Sequence, residues 1–282
     1  MFAFHHDRKR YFDMQYRVST ESILPLIEGS MRLRPGFRVL EVGCGEGGVL
    51  KAFARRGCSC VGVDPDGARI RNGRRWLQAE GDPVLLLEQN IFAVSLEQLG
   101  GAFDLILLKD VLGEIREKER LFAMLNTLLK PWGQVFASFS PWQMPFGGQQ
   151  QLCSSGLSRL PWLHLLPRAL YRYLLQKNGE PCESLLALRD ARISIEGFRQ
   201  LARQHGFSSV REVPYLLNPM YTQKFGWPGC RQPWPLRHLP YLRNFLTTSA
   251  YFVVRKNVAA AQPAAPRAWS RGLFERYWQL PA

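Results

Sequence analysis

The chain has 282 residues, 46% of them apolar, which suits one large domain or a core domain with insertions and argues against disorder. Its formal net charge of +14 is unevenly placed: residues 1–140 carry 19 basic and 17 acidic side chains, residues 141–282 carry 18 and 6. Basicity therefore belongs to the second half, where nucleic acid, an anionic membrane surface, an acidic small substrate or a solvated Arg-rich surface would each account for it. The six cysteines form no Cys-x-x-Cys pair and have no His cluster beside them, so no metal site is expected. Cys58 and Cys60, at strand spacing, read as core thiols. No secretory signal is apparent at the N-terminus and no run is long enough to span a bilayer. The expectation is a cytoplasmic protein, monomeric or homodimeric, with contact at the inner membrane face left open.

Residues 1–18 are charged and aromatic, with Tyr11, Phe12 and Tyr16. The span 19–33 reads as a helix capped by Ser19 or Thr20 and ended at Pro35-Gly36, so residues 1–35 form a helical cap. Arg38–Val42 reads as a short buried strand that enters a glycine-rich turn at Gly43–Gly48, followed by a helix over Val49–Arg56 with Gly57 at its end. Strands over Cys60–Val63, Val84–Leu87, Phe103–Leu108 and Gln134–Phe139 follow, with helices at Ala68–Ala79 and Arg120–Leu129. This alternation predicts right-handed crossovers and a parallel sheet covered on both faces over residues 36–140. The rhythm then fails across 141–192. It returns with a helix at Ser194–His205 and strands at Ser209–Leu217 and Ser249–Arg255, within a unit spanning 193–258 that holds a second insertion at 218–248. An Ala/Pro linker begins at Ala259, and Trp269–Leu280 reads as a tail helix.

Glu41-Val-Gly43-Cys44-Gly45-Glu46-Gly47-Gly48 lies between a predicted strand and helix, where glycines let the backbone turn tightly and approach a ligand. Gly43, Gly45 and Gly48 also satisfy G-x-G-x-x-G, which alone does not separate ligand classes. Glu41, two residues before the first glycine, is poorly suited to a pyrophosphate but suits a ligand with a cationic amino group and a sulfonium. Asp64 ends the second strand, where a carboxylate accepts ribose hydroxyls. Asn90-Ile91 follows the third strand, placed to read an adenine edge.

These motifs resemble the class I S-adenosylmethionine-dependent methyltransferases. Val39–Gly47 is similar to their first motif, Gly62-Val63-Asp64 to their acidic element, and Asp104–Ile115 to their fourth-strand motif. The family often has His where Glu114 stands and usually Asp where Asn90 stands. The resemblance covers about residues 36–140 and 193–255. It implies a doubly wound, Rossmann-like α/β fold of seven strands, the last antiparallel, with helical or irregular insertions after strands five and six. It also implies S-adenosylmethionine as cofactor, with Glu41, Gly43, Cys44, Gly45, Asp64, Pro65, Asn90, Ile91 and Lys109 around it.

Ligands sit beyond the carboxyl ends of such strands, so the insertion that follows the fifth is expected to be a substrate lid. Its start, Ser140-Pro-Trp142-Gln143-Met144-Pro-Phe146-Gly-Gly-Gln149-Gln150, is similar to a stretch of bacterial methyltransferase-domain proteins with His in place of Gln149. That replacement removes a possible general base. Trp142 and Phe146 are expected to supply an apolar wall, and Gln149 and Gln150 hydrogen bonds to the acceptor. Asp110, Glu114 and His164 are the candidate catalytic groups. Leu157–Gln176 reads as a helical lid or a membrane-surface contact. The 218–248 insertion interleaves aromatics with basic groups, a pattern that fits nucleic acid, an acidic lipid, a glycan or a packed second lid. A Lys-Asp-Val-Leu sequence after the fourth strand, where many base-amino methyltransferases have Asn-Pro-Pro or Asp-Pro-Pro, disfavours nucleic acid. The expected acceptor is a small molecule, a lipid-linked intermediate or a glycan. An RNA methyltransferase and a non-catalytic cofactor-binding scaffold are the rivals.

Overall fold

A computed structural model describes residues 7–257; the linker and tail helix expected beyond Ala259 lie outside them. The first helix, α1 (Arg8–Val18), starts earlier than the sequence suggested. Asp7 caps it, accepting from Arg10 N at 2.9 Å. A π-helical turn at Ser19–Ile23 joins it to α2 (Leu24–Glu28). Ser19 is thus fully buried within a nearly continuous helix and caps nothing, a correction to the expected start at 19–20. Phe12, Met14 and Val18 supply the buried face that extends the helix backward.

Next come β1 (Arg38–Val42), α3 (Gly48–Ala54), β2 (Ser59–Asp64), α4 (Gly67–Ala79), β3 (Val84–Glu88), β4 (Phe103–Lys109), α5 (Lys118–Leu128) and β5 (Leu129–Phe139). Asp66 caps α4, accepting from Ala68 N and Arg69 N. The insertion at 141–192, called the lid for its expected role, contributes α6 (Arg168–Lys177) and α7 (Cys182–Asp190). The chain then forms α8 (Ile195–Gln204, capped by Ser194), β6 (Phe207–Leu217), α9 (Met220–Phe225), β7 (Cys230–Arg231), α10 (Trp234–Arg237) and β8 (Ser249–Lys256).

The sheet order is β3-β2-β1-β4-β5-β8-β6-β7, parallel through β5, with β8 antiparallel to both β5 and β6. The sheet has eight strands rather than seven because Cys230–Arg231, inside the second insertion, pairs with Tyr215 and Leu217. A two-residue strand has no periodicity to read. The order reverses between β1 and β4, the switch point where ligands of doubly wound sheets bind.

Strand side chains alternate between two cores. Val39, Leu105 and Leu107 face α2, α3 and α4, whereas Leu40, Ile106 and Leu108 face α5 and α8. Burial on both faces explains why these strands read as continuous apolar runs. The lid has its own small core of Leu157, Leu163, Tyr171, Leu175 and Leu185 among others, and Met14, Val18 and Met220 clamp α1 to α9. Among the described residues, no helix is long and apolar enough to cross a membrane.

Candidate active site

The glycine turn leaves β1 at the switch point. Gly43 N donates to Val63 O at 2.8 Å, and Gly45 N donates to Asp64 Oδ2 at 2.8 Å. The other oxygen of Asp64 accepts from Asp66 N at 2.8 Å. Asp64 therefore ties two turns together, and each oxygen keeps a second lone pair for a ligand hydroxyl. Gly45 has φ +54°, and a Cβ there would meet nothing nearer than Arg69 Cδ at 3.8 Å. The space above this backbone is open to a ligand. Beside it, α1 straps the turn: Arg8 Nε reaches Glu46 Oε1 at 2.7 Å, and the Glu46 side chain is almost wholly buried.

Glu41 is 2% exposed, and its Oε2 has no hydrogen-bond partner. Burial pushes its carboxyl well above the ordinary value; Lys109 opposes this, while Asp64 and Asp110 add to it. A buried acceptor left unsatisfied, among further carboxylates, fits a ligand that carries a cationic amino group. Cys44 and Lys109 are both buried in the same region.

Asp110 follows β4 in a left-handed conformation, φ +59°, which Asp tolerates better than most residues. Its Oδ2 accepts from Lys109 Nζ at 2.6 Å, its Oδ1 accepts from Ser138 Oγ at 2.8 Å, and its N–H donates to Ser138 O at 2.9 Å. Enclosure by its surroundings works to raise its pKa, yet Lys109 and the Ser138 hydroxyl hold it below the usual carboxylate range. The side chain is nevertheless 45% exposed. A carboxylate crowded on its flanks and still open to water can be reached by a ligand at the end of β4. The charges and dipoles acting there include Tyr251 from β8, Tyr11 from α1, and Tyr221 and Lys224 from α9. Lys224 Nζ lies 5.7 Å from the centre of the Tyr11 ring. Burial and the neighbouring Lys109 lower the Lys224 pKa, and Asp110 opposes them.

The remaining expected residues separate by position. Pro65 is exposed after β2, and Ile91 is buried in the turn after β3. Asn90 is exposed, and its Oδ1 accepts from Phe92 N at 3.0 Å to cap that turn. Glu114 accepts from Gln149 Nε2 at 2.6 Å, joining the segment after β4 to the lid. Trp142 is buried and lies edge-on to His164 with 4.7 Å between ring centres, whereas Phe146 is largely exposed. The Gln150 amide lies buried inside the lid and donates to Leu157 O and Leu160 O, both at 2.5 Å. His164 is fully buried, with Nε2 2.6 Å from Trp142 O, and burial lowers its pKa. His164 and Gln150 thus stand within the lid's packing and not among the groups acting on Asp110. The sequence alone does not mark Tyr11, Tyr221, Lys224 and Tyr251 as neighbours of Asp110. Three of them lie in stretches whose mixture of aromatic and basic residues was visible, but only tertiary packing brings those stretches to β4.

Residues 5–211 match the profile described as a methyltransferase domain. The chain belongs to this methyltransferase family. It is similar to a ubiquinone biosynthesis O-methyltransferase of Rhizobium etli, 28% identical over 191 residues that cover 67% of this chain and 74% of the relative. Among solved structures it resembles a putative sarcosine dimethylglycine methyltransferase from Galdieria sulphuraria, with 16% identity, a TM-score of 0.56 and 86% of each chain covered. It also resembles a plantazolicin methyltransferase in complex with a triazolic desmethylPZN analog and SAH, with 13% identity, a TM-score of 0.55, and 89% of this chain and 90% of that one covered. Such distant likenesses show a shared fold. The methyltransferase is of class I, its cofactor is S-adenosylmethionine, and the orphaned Glu41 carboxyl and open Gly45 turn fit that cofactor's cationic amino acid end and adenosine end.

Proposed function

We propose that this methyltransferase acts on a hydroxyl oxygen of an amphipathic, lipid-linked acceptor, seated over Asp110. The observation that carries the reading is the open carboxylate of Asp110 at the end of β4, with Tyr11, Tyr221 and Lys224 near it. Curated relatives named for O-methyl transfer in ubiquinone biosynthesis support an oxygen acceptor.

When bound, S-adenosylmethionine supplies a methyl group already activated by its sulfonium, so this chain's main task is alignment. Asp110, ionised at neutral pH, accepts a hydrogen bond from the acceptor hydroxyl and points its oxygen toward the switch point. Its lowered pKa makes it a poor proton acceptor in its own right. The hydroxyl proton therefore passes along that hydrogen bond to the water that the exposed Asp110 side chain meets, as the new C–O bond forms, and Lys224 places positive charge beside the oxygen as it becomes electron-rich. Tyr11 and Tyr221 offer ring faces to the acceptor. Gln149 and Glu114 hold the lid to the segment after β4.

The test supplies tritiated S-adenosylmethionine and a detergent-dispersed lipid extract. Label that enters the organic phase and survives mild alkali, as a methyl ether does, is the expected result. Label confined to RNA, or to alkali-labile esters, overturns the reading. Asp110→Asn should lower kcat and leave the affinity for S-adenosylhomocysteine unchanged; loss of that affinity places Asp110 in the cofactor site instead.

A further inference from the structure

We infer that the face carrying both insertions docks on an anionic lipid bilayer. This goes beyond the proposed function and would give a lipid-linked acceptor a route to the site, but it rests on separate observations.

Both insertions emerge at one end of the sheet. The first leaves β5 at its carboxyl end, and the second leaves β6, which runs parallel to β5 because both are antiparallel to β8. They are joined there, since Ser140 Oγ donates to Thr248 O at 2.9 Å. Most of the large apolar side chains that stay exposed in the described residues belong to these two segments. On the lid, Leu160, Leu170 and Tyr173 are about half exposed. On the second insertion, Trp227 is 57%, Trp234 67% and Tyr241 70% exposed. Aromatic side chains with a polar tip sit well at the headgroup level of a membrane. The rest of the described residues include few such groups (Leu85, Leu96 and Trp132), so this concentration is not the ordinary scatter of surface apolar groups.

Charge says what would cover this face. Residues 120–179 contain no Asp or Glu, and neither do residues 213–257. The helix α6 shows how the two features combine. It buries Tyr171 and Leu175 in the lid core, and presents Leu170, Tyr173 and Lys177 along its outer side, with Arg172 next to them. Lys177 Nζ lies 5.9 Å from the centre of the Tyr173 ring. Among the described residues, Arg159, Arg172, Lys177 and Arg237 form no ion pair with a carboxylate. An amphipathic surface helix with apolar and aromatic groups flanked by unneutralised cations matches the interface of an anionic bilayer, where apolar insertion and headgroup attraction add. A protein partner of ordinary composition would have to supply many carboxylates at once to do the same.

The experiment is sedimentation of the full chain, without cofactor or acceptor, with vesicles of phosphatidylcholine containing phosphatidylglycerol, and with phosphatidylcholine alone. Binding to the anionic vesicles that weakens as salt rises is expected. Arg172→Glu should lower the partition by about fivefold or more, since one basic residue near the surface contributes about that factor. Leu170→Gln, Tyr173→Gln and Trp234→Gln together should lower it by at least about tenfold, for the loss of three inserted groups. These side chains are exposed, so the melting temperature should stay unchanged and report a folded protein. No partition on either vesicle overturns the inference, as does partition indifferent to these substitutions. A solution dimer that occludes them, or capture of a single-stranded RNA probe in place of vesicles, also overturns it. Because this assay needs no turnover, its failure leaves the methyl-label test standing, and the reverse holds too.

Discussion

Replacing Gly45 by Ala separates the turn's ligand role from its structural one. The residue has φ +54°, and the added Cβ would stand 3.8 Å from its nearest neighbour, so the cost to the protein is conformational and not steric. Holding an L-residue in the left-handed region costs about 1–2 kcal/mol, partly offset by about 0.4–1 kcal/mol from a less flexible unfolded chain. The net is about 0–1.6 kcal/mol, which for a chain of this size lowers the melting temperature by no more than about 3 °C. The methyl group would nonetheless fill the space through which the ligand meets the backbone. Binding of S-adenosylhomocysteine should weaken at least tenfold, or about 1.4 kcal/mol, by titration calorimetry. Gly43→Ala is the contrast: at φ +71° its Cβ would come within 2.8 Å of Val111 Cγ2, so stability should fall further. A Gly45→Ala protein that melts slightly lower and binds the ligand with wild-type affinity would refute the reasoning, because the open space would then not be the ligand's.

Asp64→Ala strands the Gly45 and Asp66 N–H groups as well as removing the proposed ribose acceptor. It should lower stability by about 1–3 kcal/mol for an orphaned buried donor and weaken the cofactor; a lowered melting temperature with intact affinity would leave only the structural role. Glu41 carries a pH signature. Its folded pKa is raised above the ordinary 4.5, chiefly by burial, so it favours the fold most below the unfolded value, and that contribution is lost as pH rises through the folded one. A cationic ligand favours the ionised form, so S-adenosylmethionine should bind more tightly as pH climbs through that range, with proton release seen as buffer-dependent heat; Glu41→Gln should abolish the dependence. Glu196 accepts from Arg243 Nε at 3.0 Å, Asn244 Nδ2 at 2.6 Å and Tyr241 N at 3.1 Å, tying the second insertion to α8. Glu196→Ala leaves the buried Arg243 uncompensated, and chemical denaturation should show a loss of about 3–5 kcal/mol, partly restored by Arg243→Met.

What the sequence made legible follows from how local the physics is. The strand Phe103–Lys109 is buried on both faces, so its apolar run is unbroken, and the turn at Gly43–Gly47 depends on backbone conformations that glycine adopts most readily. Both could be read within a few residues. The start of α1 was missed because its apolar positions are diluted by Arg and Lys that lie over aromatic rings, as Lys9 does over Phe12 at 4.6 Å. The strand β7 exists only because Tyr215 and Leu217 present a free edge to it. Polar residues of the lid are the hardest to place from their chemistry alone. Gln150 and His164 are polar, but the lid is large enough to have a core of its own, and both are buried with their side chains hydrogen-bonded to lid backbone.

The same locality explains why the candidate site is assembled from so many separate segments. Glycine turn, Asp64 and Asp110 come from the ends of neighbouring strands and are fixed by sheet register, Glu41 pairing with Gly62 and Leu107. Tyr11, Tyr221 and Lys224 come from α1 and α9, held together mainly by Met14, Val18 and Met220. On the proposed assignment the cofactor side is fixed by sheet register, whereas the acceptor side hangs on a small clamp between two peripheral helices. Loosening that clamp should affect the two substrates differently. Met220→Ala, which removes a buried Met from a small cluster and costs about 2–5 kcal/mol if the site does not collapse, should raise the acceptor KM well before it alters cofactor affinity. Equal losses on both sides would mean that α9 also shapes the cofactor pocket, and the division between a register-fixed donor half and an adjustable acceptor half would fail.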